Sequence, residues 1–332
     1  MQTHSTPGFD YTDITSRALS PEELIETLRV SGYFYLTNLG DVISPQLFRS
    51  MKETSANFFA SPLDAKMSYY IGDSNNHRGY VPTSEKGLYG DEKARFYEAF
   101  DIGHDAPSTE TGLPIYRLIG PNRYPEHVPG MKQTLESYYR ASLQIGTQIL
   151  RMVARASRLN ESYFDRYTTR PASQLRIIHY LQNDVLVNDD VSMGAHTDYE
   201  IFTVLHQTSP GLMAFDRATR SWKQLPVFKD TLLVFAGNMM ELMTGGHVKS
   251  LLHRVVSTGE ERYSYPFFMN LDFETTLGVL PAFGTSDKRV VVGHHLLGQL
   301  YRDFPYIKDR IDGGRWNVDF TIPGHNEYDE IQ

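Results

Sequence analysis

Six short apolar runs in residues 175–270 constrain the fold of this chain more than any other feature. The runs are rich in β-branched and aromatic side chains, which is typical of β-strands. Turn sequences such as Ser209-Pro210-Gly211 and Thr244-Gly245-Gly246 separate them. Many short strands divided by turns favour an antiparallel sandwich or barrel of jelly-roll type. The predicted strands are 175–181, 201–205, 212–215, 231–236, 252–256 and 263–270.

The sequence of the first half of the chain predicts mainly helices. Pro21-Glu22-Glu23 predicts a helix start, because acidic side chains near a helix N-terminus interact favourably with its dipole. Apolar residues at helical spacing predict a long helix over 131–158. The other predicted elements are a strand at 33–36, a helix at 46–60, an irregular loop at 73–90 and a last helix at 296–310.

These patterns predict an α+β protein with three segments. Residues 1–170 form a mainly helical N-terminal region, 171–290 a jelly-roll core on which that region packs, and 291–332 a C-terminal helix and tail. The chain has 332 residues, of which 40% are hydrophobic, so it can bury a sizeable core.

Charge and composition exclude several classes of partner. The net charge is −8 without a Lys/Arg-rich stretch, so we expect no nucleic-acid footprint. No apolar run reaches the roughly 20 residues that span a membrane, and residues 1–13 lack the apolar core of a signal peptide. The chain has no cysteine, which suits a reducing compartment. We expect a cytoplasmic protein without membrane contact, and a monomer.

His196-Thr197-Asp198 and His253 form a candidate metal site. Residues two apart on an extended segment point to the same side, so His196 and Asp198 can reach one ion. His253 follows 57 residues after His196 (253 − 196), which is enough chain for several strands to bring it back. Two imidazoles and one carboxylate on one face of a metal favour Fe(II) and oxygen chemistry. An H-x-D sequence alone also occurs by chance, and here its β-rich context and the following Arg-x-Ser give it weight.

Arg262 and Ser264 form a candidate anion site. They alternate on a predicted strand and therefore face one side. A guanidinium fork matches a carboxylate, and Ser264 adds a hydroxyl donor. Tyr180, on the strand predicted at 175–181, can donate a third hydrogen bond. The alternative is a structural arginine paired with Asp or Glu.

These residues resemble the isopenicillin N synthase-like family of Fe(II)/2-oxoglutarate-dependent dioxygenases, and the resemblance covers nearly the whole chain. Gly194-Ala195-His196-Thr197-Asp198-Tyr199 and Leu252-His253-Arg254-Val255 are close to the family pattern. Further matching segments are Ser31-Gly32-Tyr33-Phe34-Tyr35-Leu36-Thr37-Asn38, Phe58-Phe59-Ala60-Ser61-Pro62 with Lys66, Arg78-Gly79-Tyr80, Glu98-Ala99-Phe100-Asp101-Ile102-Gly103 and Pro121-Asn122-Arg123-Tyr124-Pro125. The chain departs from the pattern at Ile178-His179-Tyr180-Leu181, where plant members often have Asn-Tyr-Tyr-Pro, and at Asn238, where Asp is common.

The resemblance implies a double-stranded β-helix (jelly-roll) fold and a set of cofactors. It implies that His196, Asp198 and His253 bind Fe(II), and that Arg262, Ser264 and Tyr180 hold the distal carboxylate of 2-oxoglutarate. It further implies O₂ as oxidant, ascorbate as activator, and release of succinate and CO₂. The substrate is expected to be a small molecule of specialised (secondary or antibiotic) metabolism that undergoes hydroxylation, desaturation or cyclisation.

Three alternatives stay open. Some family members use no 2-oxoglutarate and hold the substrate's own carboxylate at the Arg-x-Ser pair. Two other classes of protein are also possible. One is a non-catalytic jelly-roll protein that binds a metabolite, and the other is a jelly-roll metal hydrolase. Neither class needs the complete set of motifs. Candidate substrate contacts, each of which could instead be structural, are Phe268, Arg78, Tyr80, Tyr97, Tyr199, Met213 and Phe215.

Overall fold

A computed structural model describes residues 6–40, 42–85, 92, 95–107, 114–185 and 190–328 of the protein. Its strands, in chain order, are β1 (Gly8–Asp10), β2 (Tyr33–Thr37), β3 (Gly79–Val81), β4 (Tyr97–Gly103), β5 (Gln174–Tyr180), β6 (Val191–His196), β7 (Phe202–Gln207), β8 (Leu212–Asp216), β9 (Ser221–Gln224), β10 (Leu232–Ala236), β11 (His253–Val256), β12 (Arg262–Met269), β13 (Thr276–Gly278) and β14 (Arg289–Val291). Its α-helices are α1 (Tyr11–Ser16), α2 (Pro21–Ser31), α3 (Pro45–Phe59), α4 (Leu63–Met67), α5 (Met131–Ala156), α6 (Asn238–Met243), α7 (Val292–Asp303) and α8 (Pro305–Asp312).

Two sheets make the core of the fold. The larger has eight strands in the order β1-β2-β10-β7-β12-β5-β4-β3, and the smaller has four in the order β6-β11-β8-β9. Strands β13 and β14 form a separate pair. Every pairing in the two core sheets is antiparallel except β1 with β2. The α+β jelly-roll fold predicted from the sequence is confirmed.

Side-chain alternation along β12 shows how the larger sheet divides its two faces. Tyr265 and Phe267 pack against α5, where Tyr138 and Tyr139 meet them at ring-centroid distances of 6.3 and 5.2 Å. Successive side chains of a strand point to opposite faces. Ser264, Pro266 and Phe268 therefore face the other way, toward a cavity that both sheets line. One face of the larger sheet is thus covered by α5, and the other face lines the cavity and can carry a binding site.

The helix starts follow local sequence signals. Ser20 precedes Pro21 in α2 and accepts a hydrogen bond from the Glu23 amide at 3.0 Å. Ser44 caps α3 in the same way through the Leu47 amide at 3.2 Å. A serine cap followed by proline satisfies backbone donors that have no partner inside the helix.

Three local predictions differ from the structure. The first half contributes strands β1 to β4 to the large sheet, although the sequence suggested one strand there. Within the loop predicted at 73–90, β3 is a three-residue strand that is wholly buried and so shows no alternation; residues 86–90 lie outside the described part. The helix predicted at 296–310 is divided into α7 and α8. Pro305 disfavours helical backbone at the preceding residue, Phe304, which is extended.

The division into segments at residues 170 and 290 stays a prediction, and the large sheet takes strands from both sides of residue 170. In the part of the chain that the structure describes, every helix is too short or too polar to cross a bilayer.

Candidate active site

A cavity of about 120 Å³ lies between the two sheets, and residues from the end of α7 also line it. Its walls are mainly aromatic and aliphatic, with a small number of polar groups, which is typical of small-molecule sites. The lining from the predicted site consists of His196, Asp198, His253, Arg262, Ser264, Tyr180, Phe268, Tyr97 and Tyr199. The candidate metal ligands and the candidate anion site therefore share one cavity.

The two histidines are brought together by strand register. His196 ends β6 and His253 begins β11, and the two residues are direct partners in the antiparallel ladder. Each Nε2 lies 3.6 Å from Oδ1 of Asp198, which follows β6 by two residues. Ligand atoms of the three side chains lie within 4.8 Å of one another. In the described residues this is the single group of three or more His, Asp or Glu side chains with such spacing.

Backbone carbonyls orient both imidazoles. Nδ1 of His196 lies 2.8 Å from the Gly194 carbonyl, and Nδ1 of His253 lies 3.0 Å from the Leu251 carbonyl. A carbonyl only accepts, so each Nδ1 carries the proton and each Nε2 keeps a lone pair toward the cavity. Burial, with a smaller effect of nearby His253, lowers the pKa of His196 to about 4. The imidazole is thus neutral near pH 7, as metal coordination requires.

Asp198 is fixed by its side chain and by its backbone. Thr203 donates its hydroxyl to Oδ2 of Asp198, which leaves Oδ1 toward the histidines. The amide of Asn238 donates to the Asp198 carbonyl at 2.8 Å. A Cβ on Gly237 would clash with the Glu200 carbonyl, so only glycine allows the end of β10 to approach this turn. Asn238, the departure noted in the sequence, therefore acts here through its backbone.

Residues at the candidate anion site are paired across three neighbouring strands. Arg262 of β12 pairs with Tyr180 of β5, which pairs in turn with Tyr97 of β4. The guanidinium carbon of Arg262 lies 3.7 Å from the centre of the Tyr180 ring, a cation–π contact. Ser264 comes two residues after Arg262 and faces the same cavity. Ile178 lines the cavity on the neighbouring strand, where plant members often have Asn.

Arg262 is a buried cation whose bonding is incomplete. Its side chain is 3% exposed, and its Nη2 has no hydrogen-bond partner in the described part of the chain. No carboxylate of the described residues lies within 4 Å of it, which argues against a structural ion pair. Burial lowers the pKa of Arg262, and proximity to Tyr180 opposes that shift. A buried guanidinium nitrogen without a hydrogen-bond partner is costly, so the residue fits an anion supplied from outside the chain.

Four of the weaker substrate candidates lie outside this cavity. Tyr80 faces away because its neighbour Val81 faces in, and it donates to Glu98. Arg78 packs against Gly103 and donates to the His77 carbonyl at 2.9 Å; it lines a smaller cleft. Met213 and Phe215 alternate with Leu212, which faces the cavity, so both point to the opposite side of β8. Phe215 contacts Trp222 there edge to face, with ring centroids 5.3 Å apart.

The structure adds site residues that the sequence analysis missed. Thr203 has a weak sequence signal, since it lies five residues after Asp198 within the strand predicted at 201–205. Arg176 and Gln174 line the cavity on the strand that carries Tyr180. Asp303 arrives from α7, more than 100 residues from the histidine–aspartate motif, and only tertiary packing brings it there.

Comparison with known protein families gives two matches. Residues 171–271 match the 2OG-Fe(II) oxygenase superfamily. Residues 7–127 match the non-haem dioxygenase N-terminal region described for morphine synthesis. The first match contains His196, Asp198, His253, Arg262 and Ser264.

Curated relatives and solved structures agree with these matches. The 2-oxoglutarate-dependent dioxygenase citB of Monascus ruber is 32% identical over 285 residues, which are 80% of this chain and 84% of the relative. Clavatol oxidase claD of Penicillium crustosum is 30% identical over 305 residues, 81% of this chain and 89% of the relative. A Neurospora crassa protein solved in complex with alpha-KG and thymine superimposes with a TM-score of 0.75 at 21% identity, covering 89% of this chain and 96% of that one.

The chain belongs to the 2OG-Fe(II) oxygenase superfamily. It is an Fe(II)/2-oxoglutarate-dependent dioxygenase, and its cofactors are Fe(II), 2-oxoglutarate and O₂. The predicted family, reaction class and cofactors are confirmed.

Proposed function

We propose that His196, Asp198 and His253 are the iron ligands of this enzyme. The observation that carries the proposal is the convergence of two Nε2 atoms on one carboxylate oxygen, at 3.6 Å each. Both imidazoles are oriented by backbone carbonyls, and Thr203 holds the second oxygen of Asp198. These three side chains would hold Fe(II), which would supply the chemistry of oxygen activation beside the co-substrate.

We further propose that Arg262, Ser264 and Tyr180 bind the distal carboxylate of 2-oxoglutarate. The buried Nη2 of Arg262, which has no partner in the described chain, is the main support. A guanidinium can bind a carboxylate through two parallel hydrogen bonds. Bound Fe(II), 2-oxoglutarate and O₂ together supply the oxidising power, with release of succinate and CO₂.

The chain's own residues then select and orient the substrate. Phe268 and Tyr199 line the same cavity as the proposed ligands, and Tyr97 lies at the Arg262 end. A mostly apolar wall excludes water and strengthens the electrostatic interactions inside the site. Orientation of one C–H bond of the substrate toward the metal centre decides which bond is oxidised.

The substrate that we propose is a small specialised metabolite, oxidised by hydroxylation, desaturation or cyclisation. The support is the size of the cavity, about 120 Å³, and the relatives themselves, of which one is a clavatol oxidase.

A substrate screen tests this proposal. Anaerobically purified enzyme with Fe(II), ascorbate and 2-oxoglutarate is mixed with oxygen and a panel of small natural products, and succinate and products are measured by mass spectrometry. The expected result is a compound that stimulates succinate release and is converted to a product with one added oxygen atom or with two fewer hydrogen atoms. Oxygen uptake with product but without succinate would contradict a role for 2-oxoglutarate.

The cytoplasmic location and the monomeric state stay predictions. The absence of cysteine and the net charge of −8 support them. Size-exclusion chromatography with light scattering tests the second, and a dimer at micromolar concentration would overturn it.

A further inference from the structure

Asp303 is a carboxylate inside the cavity that the proposed iron and 2-oxoglutarate sites do not use. It ends α7 and lines the cavity opposite the sheet. In the described residues, its one side-chain hydrogen bond comes from the hydroxyl of Tyr199, the residue after Asp198. No Lys, Arg or His nitrogen of the described chain lies within 4 Å of it. This half-buried carboxylate, held by one neutral hydroxyl, has unused hydrogen-bonding capacity, because each of its oxygens can accept further hydrogen bonds.

The nearby arginines are bonded to other groups. Arg176 donates to both carboxylate oxygens of Asp101, at 2.8 and 2.7 Å, on the neighbouring strand. Arg302 donates to the carbonyl of Pro323 at 2.7 Å and to the amide oxygen of Gln299. The charge of Arg176 is thus matched by that of Asp101, whereas Arg302 bonds neutral groups and its charge acts on Asp303 only through space.

Apolar side chains also line the cavity that contains Asp303. Leu300 and Phe304 line it from the helical side, and Pro266 and Phe268 line it from the sheet. Burial raises the pKa of Asp303 to about 6, and the hydrogen bond from Tyr199 opposes that shift. The group is therefore mainly ionised near pH 7. An ionised acceptor in an apolar wall binds a donor strongly and disfavours another anion.

We propose that Asp303 accepts a hydrogen bond from an amine or a hydroxyl group of the substrate. The site then selects compact, mainly apolar amines or alcohols over carboxylic acids. This inference rests on the proposed function, since Asp303 contacts the substrate only if oxidation takes place in this cavity. Asp303 is a specificity-determining residue, and Tyr199 positions it.

Four probes that share one phenyl ring test the selection. Benzylamine, benzyl alcohol, toluene and benzoate are titrated by ligand-observed NMR into anaerobic enzyme loaded with Fe(II) and 2-oxoglutarate. We expect the amine or the alcohol to bind at least about tenfold more tightly than toluene, and benzoate to bind most weakly, since one charge-assisted hydrogen bond has that magnitude. Tighter binding of benzylamine than of benzyl alcohol identifies the donor as a cation; the reverse order identifies it as a hydroxyl.

Two variants connect the ranking to Asp303. Asp303→Asn keeps an acceptor oxygen but removes the charge, so it should lose the preference for benzylamine and keep that for benzyl alcohol. Asp303→Leu should lose both preferences and keep the affinity for toluene. Asp309→Asn on α8 is the matched control, because it makes the same substitution at an exposed carboxylate outside the cavity; it should keep the whole ranking.

The contradicting results are equally specific. Benzoate binding as tightly as the donors, a ranking that is unchanged in Asp303→Leu, or absence of any preference for donors overturns the proposal. Binding of 2-oxoglutarate is measured in the same samples. Its failure in the wild-type enzyme would overturn the proposed co-substrate site, while the probe ranking would still decide the role of Asp303.

Discussion

His196 and His253 are direct partners in an antiparallel ladder, and their ring centroids are 4.2 Å apart. The spacing of the two imidazoles is therefore set by the register of β6 and β11 rather than by a loop. Sites built on strands hold their side chains more precisely than sites on loops. Asp198 completes the group from a turn that the start of α6 holds through a 2.8 Å backbone hydrogen bond.

Replacement of Asp198 tests the metal group directly. Asp198→Ala should reduce iron binding and turnover at least about 100-fold, because it removes a ligand, and loss of outer contacts alone typically costs roughly 10- to 100-fold. Little loss of folding is expected, since the side chain faces the cavity. Iron content and thermal unfolding are measured beside His247→Ala, an exposed histidine that serves as control. Full activity in Asp198→Ala would refute the assignment.

Thr203 should tune the metal affinity without touching the metal. Thr203→Val keeps the shape of the side chain but removes the hydroxyl that donates to Asp198. The expected result is Fe(II) binding that is roughly 10- to 100-fold weaker. Thr203→Ser retains the donor and should stay close to the wild type. Competition with a chromogenic chelator measures both variants, and equal affinities for Val and Ser would show that the hydrogen bond has no such role.

Arg262 should control the requirement for 2-oxoglutarate. Arg262→Ala removes hydrogen bonds to a charged group, which are worth about 1.5–3 kcal/mol. The KM for 2-oxoglutarate should therefore rise roughly 10- to 100-fold. Ser264→Ala should have a smaller effect in the same direction, because a neutral donor is lost. Arg17→Ala, in an exposed ion pair with Glu161, is the control. A KM that does not change in Arg262→Ala would contradict the proposed anchor.

His206 should make the fold sensitive to acid. Burial lowers the pKa of His206 to about 4 from an ordinary value of 6.5. Between these values the unfolded chain binds a proton that the folded chain does not, so the free energy of unfolding falls as the pH falls. At pH 5 the loss from this residue is about 2 kcal/mol.

His206→Phe removes the titrating group and keeps a ring beside Phe48, which lies 4.1 Å from His206 between ring centroids. Urea unfolding of the metal-free proteins at pH 7 and pH 5 should show a smaller loss of stability in the variant. The same loss in both proteins would mean that His206 makes no contribution.

The sequence indicated which of the candidate ligands and anion-site residues would lie together, because its signals are local. His196 and Asp198 are two residues apart, Arg262 and Ser264 likewise, and strand periodicity indicates which residues share a face. The six strands predicted between 175 and 270 correspond to β5, β7, β8, β10, β11 and β12. Strands β6 and β9 were missed. The residues of β9 are largely exposed, and β6 contains Ser192, Gly194 and Ala195, which have low β-propensity.

The substrate side of the site could not be predicted in the same way. Its residues come from distant elements, with Asp303 on α7 and Tyr97 on β4. Met213 and Phe215 lie on the side of β8 away from the cavity, and a strand of five residues shows which side faces the core only when the neighbouring sheet is known. Arg78 and Tyr80 belong to motifs that stabilise the fold, through Gly103 and Glu98 respectively.

Succinate release by the wild-type enzyme and by Asp198→Ala, measured side by side, tests most directly whether turnover depends on Fe(II), 2-oxoglutarate and the proposed ligand Asp198. Each is supplied with Fe(II), 2-oxoglutarate, ascorbate and oxygen, and each component is omitted in turn. We expect the wild type to release succinate only when Fe(II), 2-oxoglutarate and oxygen are all present, and Asp198→Ala to release almost none. Succinate release that is independent of iron, or equal in the two proteins, would contradict it.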